Sequence, residues 1–109
     1  MRKLKFIVSG QIIKPDPNCD FSNIVPGTSE YLQLEFDFSK EWDGTIRVVG
    51  FYSIFGSEYE PCFLEEGVRC MVPTEAAAKQ SFIIRVFGKR DSYTINTNKI
   101  TITQDGGRL

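Results

Sequence analysis

Apolar and polar residues alternate with a period of two along most of this chain. Leu4, Phe6 and Val8 alternate with Lys3, Lys5 and Ile7. The clearest run follows: Leu32, Leu34, Phe36 and Phe38 alternate with Tyr31, Gln33, Glu35 and Asp37. That is the pattern of a strand packed on one face and solvated on the other. "TIRVVGFYSIF", Thr45 to Phe55, is rich in β-branched and aromatic residues and reads as a further strand. "SEYEPCFL" and "GVRCMVP" read as a short hairpin around Glu65, Glu66 and Gly67. "SFIIRVFG" places Phe82, Ile84 and Val86 on one face, and "YTINTNKITITQ" separates Ile100 and Ile102 from Thr101 and Thr103. Only "PTEAAAK", Pro73 to Lys79, reads as helix, with Thr74 as its cap.

These elements predict an all-β fold: a single Ig-like antiparallel β-sandwich of about seven strands with one short connecting helix. The sandwich is expected over residues 1–104, with 105–109 as a flexible C-terminal tail. Cys62 and Cys70 sit too close together to act as the paired cysteines of a true immunoglobulin domain. Lys14 to Glu30, rich in Pro, Asp, Asn and Ser, reads as a long loop.

Two strands break the one-sided pattern. In "VVGFYSIF" one row would be Val48, Gly50, Tyr52 and Ile54, and the other Val49, Phe51, Ser53 and Phe55. Both rows are apolar, yet one should meet solvent. "FIIRVF" repeats the anomaly, with Ile83 and Phe87 in its supposedly outer row. Either the Lys14–Glu30 loop covers the extra apolar face or another subunit does. Phe51, Phe55, Ile83 and Phe87 are the interface candidates. Trp42, the single tryptophan, follows a strand end in "FDFSKEWDG". It is expected to fold back as a structural plug between sheets. The alternative is a platform for a sugar, shared with Tyr31 and Tyr52.

The chain of 109 residues fits one domain, and its net charge of −1 shows no basic excess. Nucleic acid is therefore not an expected partner. Apolar stretches fall far short of a membrane span, so no membrane partner is expected. Phe6 to Ser9 is too short for a signal-peptide core, and synthesis in a cytoplasm is expected. Three cysteines (Cys19, Cys62 and Cys70) and no histidine leave no disulfide framework and no zinc ligand set. Lacking histidine, the chain also lacks the common nucleophile–base pairs. The carboxylate pairs Glu35/Asp37 and Glu58/Glu60 have the spacing of a calcium or glycosidase site, but also that of any solvated strand face. No enzyme, cofactor or metal is expected.

Four spaced motifs occur in order: Phe36-x-Phe38-Ser39-x-x-Trp42-x-Gly44, Cys70-x-Val72-Pro73, Phe82-x-x-x-Val86-x-Gly88, and Ile95-x-Thr97-x-x-Ile100-x-Ile102. Over Glu30 to Thr103 the chain resembles a small β-sandwich domain of tailed-phage structural proteins. In phages and prophages of Gram-positive and gut bacteria this domain is the N-terminal module of tail-fibre, baseplate or head-fibre proteins. The resemblance implies a non-enzymatic virion component that binds other phage structural proteins and forms a homo-oligomer. With no distal region after "QDGGRL", a decoration, adaptor or fibre-attachment role is expected rather than receptor binding. The alternatives are a carbohydrate-binding module and a small phage-encoded inhibitor of a host defence protein.

Overall fold

The computed structural model describes residues 1–106. They form an all-β sandwich of two sheets. The first sheet contains β1 (Arg2–Ser9), β2 (Ile12–Pro15), β3 (Leu32–Phe38) and, after the other sheet's first strands, β6 (Arg69–Met71), in the order β2-β1-β3-β6. The second contains β4 (Ile46–Tyr52), β5 (Cys62–Phe63), β7 (Ser81–Arg90) and β8 (Tyr93–Asn96) in the order β5-β4-β7-β8, with β9 (Ile100–Thr103) also on β7. A four-residue helix, α1 (Thr74–Ala77), links β6 to β7. Thr74 does not cap it: Pro73 holds that position, and the Thr74 hydroxyl lies 2.9 Å from that of Ser29.

Alternation sorts side chains between core and solvent as the strand period requires. Leu4, Phe6 and Val8 of β1 and Leu32, Leu34 and Phe36 of β3 face inward. They meet Val49 and Phe51 of β4 and Phe82, Ile84 and Val86 of β7. Each large side chain so buried stabilises the fold by roughly 1.5–3 kcal/mol through the apolar area removed from water.

Three features depart from the sequence-based expectation. First, β1 and β3 pair in parallel, Arg2 opposite Leu32 and Val8 opposite Phe38, so the sandwich is mixed rather than wholly antiparallel. The long connection makes this possible: β2 runs back along β1, and the loop then crosses the start of β1 to reach β3. Second, the segments around Glu65–Gly67 turn as a hairpin, but β5 joins β4 and β6 joins β3. The turn carries the chain from one sheet to the other. Third, the closing segment is two strands. Thr97, buried between them, donates its N–H to the Val86 carbonyl and accepts from the Val86 N–H on its hydroxyl, both at 3.0 Å. The β7 ladder continues through that side chain while the backbone bulges.

The Lys14–Glu30 loop follows the edge of β1, where Asp16 and Cys19 bond Lys5 and Lys3, and then closes an end of the sandwich toward α1; none of its residues lines the depressions on the outer face of the second sheet. Ile24 is buried, and the Phe21 ring sits 5.4 Å from Phe6. The Arg2 guanidinium donates to the carbonyls of Asp20, Ser22 and Asn23. Asp105 accepts from the Asn23 N–H, and the Gly106 N–H donates to the Ile24 carbonyl. The first two residues of the expected tail are thus tied to this loop; 107–109 lie outside the described residues.

Candidate functional site

Trp42 closes the opposite end. After β3, Lys40–Trp42 form one 3-10 turn that drives the indole between the sheets with no exposed surface. Its ring lies 5.1 Å from Phe38, and its Nε1–H donates to the Gly10 carbonyl at 2.8 Å. On the second sheet it lies against Gly88, where an added Cβ would come within 2.7 Å of the indole. Arg47 stacks over Phe38 at 4.2 Å and donates to the carbonyls of Trp42 and Gly67. Partial burial draws the Arg47 pKa down, and nearby Asp43 opposes that shift. Tyr93 and Arg90 bond the carbonyls of Glu41 and Asp43. Side chains from both sheets therefore fix this turn, and the indole is unavailable as a sugar platform.

The interface candidates do not converge as the sequence led us to expect. Phe51 is fully buried, opposite Ile84, with its ring 6.3 Å from Phe82. It belongs to the core because the pairing of β4 with β7 turns Val49 and Phe51 inward. Phe55 is 91% exposed but sits in the turn after β4. There it borders a separate depression with Ile54, Tyr59 and Lys79. Ile83 and Phe87 do lie on the outer face of the second sheet, both half-buried. Tyr31 borders a depression near Arg2 and Asn23, away from Tyr52.

The row that accompanies Ile83 and Phe87 is the other face of β4. Ile46, Val48, Gly50 and Tyr52 stand opposite Lys89, Phe87, Arg85 and Ile83. Phe63 stands beside Val48 across β5. Ile46 is 69% exposed and Phe63 73%. With Val48, Phe87, Lys89 and Asn96 they line an open groove of about 690 Å³.

Gly50 is the floor of this face. A Cβ there would lie 2.6 Å from the Tyr52 hydroxyl oxygen and 3.1 Å from the Phe87 ring, so both aromatics lean across the bare backbone. Cations edge them: Arg85 stands 5.1 Å from the Phe87 ring centre, and the Lys99 Nζ 5.0 Å from that of Tyr52. Burial raises the Tyr52 pKa, Glu58 adds to the rise, and Arg85 opposes it. Sequence reasoning missed Ile46, Val48 and Phe63 here. The available signal was Gly50: a glycine inside an apolar strand marks close approach by something else, here two aromatic rings.

No other cluster competes as a chemical site. Among the described residues no three His, Cys, Asp or Glu side chains come together as metal ligands. Glu35 is engaged with Lys3 at 3.5 Å and Glu66 with Arg69 at 3.2 Å. Cys19, Cys62 and Cys70 are free thiols. No protein-family model, curated protein or solved structure matches this chain, so the site is read from its geometry alone.

Proposed function

We propose that this protein is a non-enzymatic binding module that docks onto another protein through the outer face of its second sheet. One observation carries the reading: Ile46, Val48, Tyr52, Phe63, Ile83 and Phe87 form an apolar row on the side of β4, β5 and β7 that faces away from the core. A one-core sandwich has no internal use for such a row, and contiguous exposed apolar surface marks contact sites. The groove is open and shallow, and its lining lacks a nucleophile–base pair. The phage-protein resemblance supplies a setting, in which the partner is another structural protein of a virion and this chain an accessory on the particle.

The test is to reverse the face's character without touching the core. Phe87→Glu and Phe63→Lys should both stay folded by circular dichroism, Phe63→Lys melting as the wild type does and the half-buried Phe87→Glu somewhat lower. Both should lose incorporation into particles when supplied in trans to a phage lacking the gene. Normal incorporation of both folded variants would refute docking by this face. The sugar-platform alternative finds no support, because Trp42 is buried and Tyr31 lies apart from Tyr52.

A further inference from the structure

The charges around the outer face indicate what kind of protein chain it receives. We infer that the partner segment is acidic as well as apolar: it lays apolar side chains over Phe87, Phe63 and Tyr52, and brings carboxylates to Arg85, Lys99 and Lys89. This inference rests on the docking reading above and adds the partner's chemistry.

Arg85 and Lys89 flank Phe87 along β7, each two residues away and therefore on the same face. Lys99 reaches the same face from the connection before β9, since its Nζ lies over the Tyr52 ring. Among the described residues these three cations form no ion pair. The contrast with the first sheet is local: there Lys3 has Glu35 as its neighbour. Arg85 uses its Nε–H on the Thr97 carbonyl and presents its guanidinium beside Phe87, leaving the terminal nitrogens for a carboxylate. The outward positions of β4, β7, β8 and β9 contain no acid. Two acids border the face: Glu58, beside Tyr52, lines the depression over Gly50 with Phe87, and Asp91 of the β7–β8 turn lines the groove with Lys89; Glu60 stands further along the Glu58 edge.

This arrangement weighs against two other occupants. A second copy docking by the same face about a two-fold axis at Phe87 would bring Arg85 and Lys89 of both copies together, an unfavourable like-charge contact. A nucleic-acid strand would meet the aromatic rings favourably, but its phosphates would run past Glu58, Glu60 and Asp91. A protein segment can place carboxylates centrally and neutral or basic groups at both margins.

The test uses a surface-displayed library of random twelve-residue peptides, selected against the intact protein. Enriched peptides are counter-screened on Phe87→Glu, Arg85→Glu and Lys99→Glu. The expected result is peptides enriched in Asp or Glu together with Leu, Phe or Tyr. They should fail on Phe87→Glu and weaken roughly tenfold for each reversed cation. Lys99→Glu keeps the test decisive if Arg85→Glu, which loses its bond to Thr97, does not fold. Peptides that need Phe87 but are neutral or basic would overturn the acidic partner and leave docking by this face standing. No enrichment, or peptides indifferent to Phe87→Glu, would overturn both. Binding of an oligothymidine strand that is lost on Phe87→Glu and falls steeply with salt would replace the protein partner by a nucleic acid.

Discussion

The two sheets share one core but differ on their outer sides. The first sheet turns out Lys3, Lys5, Gln33, Glu35 and Asp37, with Ile7 of β1 and Ile12 of β2 as apolar residues among them, which is close to the alternation of strands facing water. The second turns out Ile46, Val48, Tyr52, Ile83 and Phe87 across the equivalent central pair, with Arg85 and Lys89 as its charged members. Both sheets bury their inner rows equally well, so folding needs do not explain the difference. An apolar outer row does not help a monomer hold together, and it promotes sticking to other surfaces. Its concentration on the second sheet is the asymmetry on which the docking proposal rests.

The largest expected effect breaks the comparison within a single strand pair. Phe51 and Phe87 are both phenylalanines at the centre of the second sheet, one inward and one outward. Phe51→Lys would bury a charge without a partner and should cost more than about 4 kcal/mol, enough to unfold the domain. Phe87→Glu, at a half-buried position, should cost only about 1–1.5 kcal/mol and leave the domain folded. If both unfold the protein, Phe87 belongs to the core and the outer face loses its central residue.

Next in size is the seam closed by Trp42. Trp42→Ala should destabilise by about 3–5 kcal/mol, because it opens a cavity between the sheets. It also leaves the Gly10 carbonyl without its indole donor. In the native protein the indole should fluoresce at short wavelength and shift red only on global unfolding. Urea denaturation followed by this fluorescence measures both quantities.

Gly50→Ala asks whether the outer aromatics are free to move. The added methyl would press on the ends of Tyr52 and Phe87, not on backbone. The cost should be roughly 1–3 kcal/mol if the rings are held and smaller if they swing away. Aromatic proton shifts of Tyr52 and Phe87 should change while those of Phe82 stay fixed.

Much of this was legible in the sequence where one face of a strand is polar. In β1 and β3 the lysines and acids fix which side meets water, so Leu4, Phe6, Leu34 and Phe36 could be assigned to the core directly. In β4 the alternation was legible but its phase was not. Val49 with Phe51 and Val48 with Tyr52 are equally apolar, and only the long-range register with β7 decides between them. The site was misread for that reason, with Phe51 placed on the face that belongs to Val48 and Tyr52. The shortest strands were also opaque. β5 and β6 span two and three residues, and hydrogen bonds to strands distant in sequence assign them to opposite sheets. Trp42 was readable as a plug because its flanking residues are polar, but the gap that receives it depends on Gly88, remote in the chain.

The two sheets also meet where β5 and β6 face each other, and there the thiols report on the seam. Burial pushes the Cys70 pKa far up, with Cys62 and Glu65 adding to it; Cys62 shifts in the same direction. A raised folded pKa means the native state holds its proton more tightly than the unfolded chain. The corresponding stability is fully present below the ordinary thiol value of about 8.5. It is lost as the pH climbs from there toward the folded value, by at most about 1.4 kcal/mol per pH unit for one group. Urea midpoints should therefore decline from pH 8 to pH 10, and Cys70→Ala should flatten that decline. An unchanged slope would mean the seam opens readily to solvent.

The smallest stability effects give the sharpest comparison of the outer faces. Lys3 and Glu35 form a surface ion pair on the first sheet, and such pairs contribute little. Lys3→Ala should change stability by no more than about 0.5 kcal/mol and leave solution behaviour as it was. Phe63→Ser, on the exposed edge of the second sheet, should fall within the same range of about 0.5 kcal/mol, because most of that ring already meets water. Its effect should appear elsewhere. Removing the ring takes apolar area from the groove beside Val48 and Phe87, so binding of a hydrophobic dye should drop and solubility should rise. Measured together, the two variants separate folding from docking: equal melting curves but unequal dye binding would assign the apolar row to a partner. A loss of several kcal/mol on Phe63→Ser would instead show that the second sheet uses its outer aromatics to hold itself together, and the asymmetry between the faces would be one of folding after all.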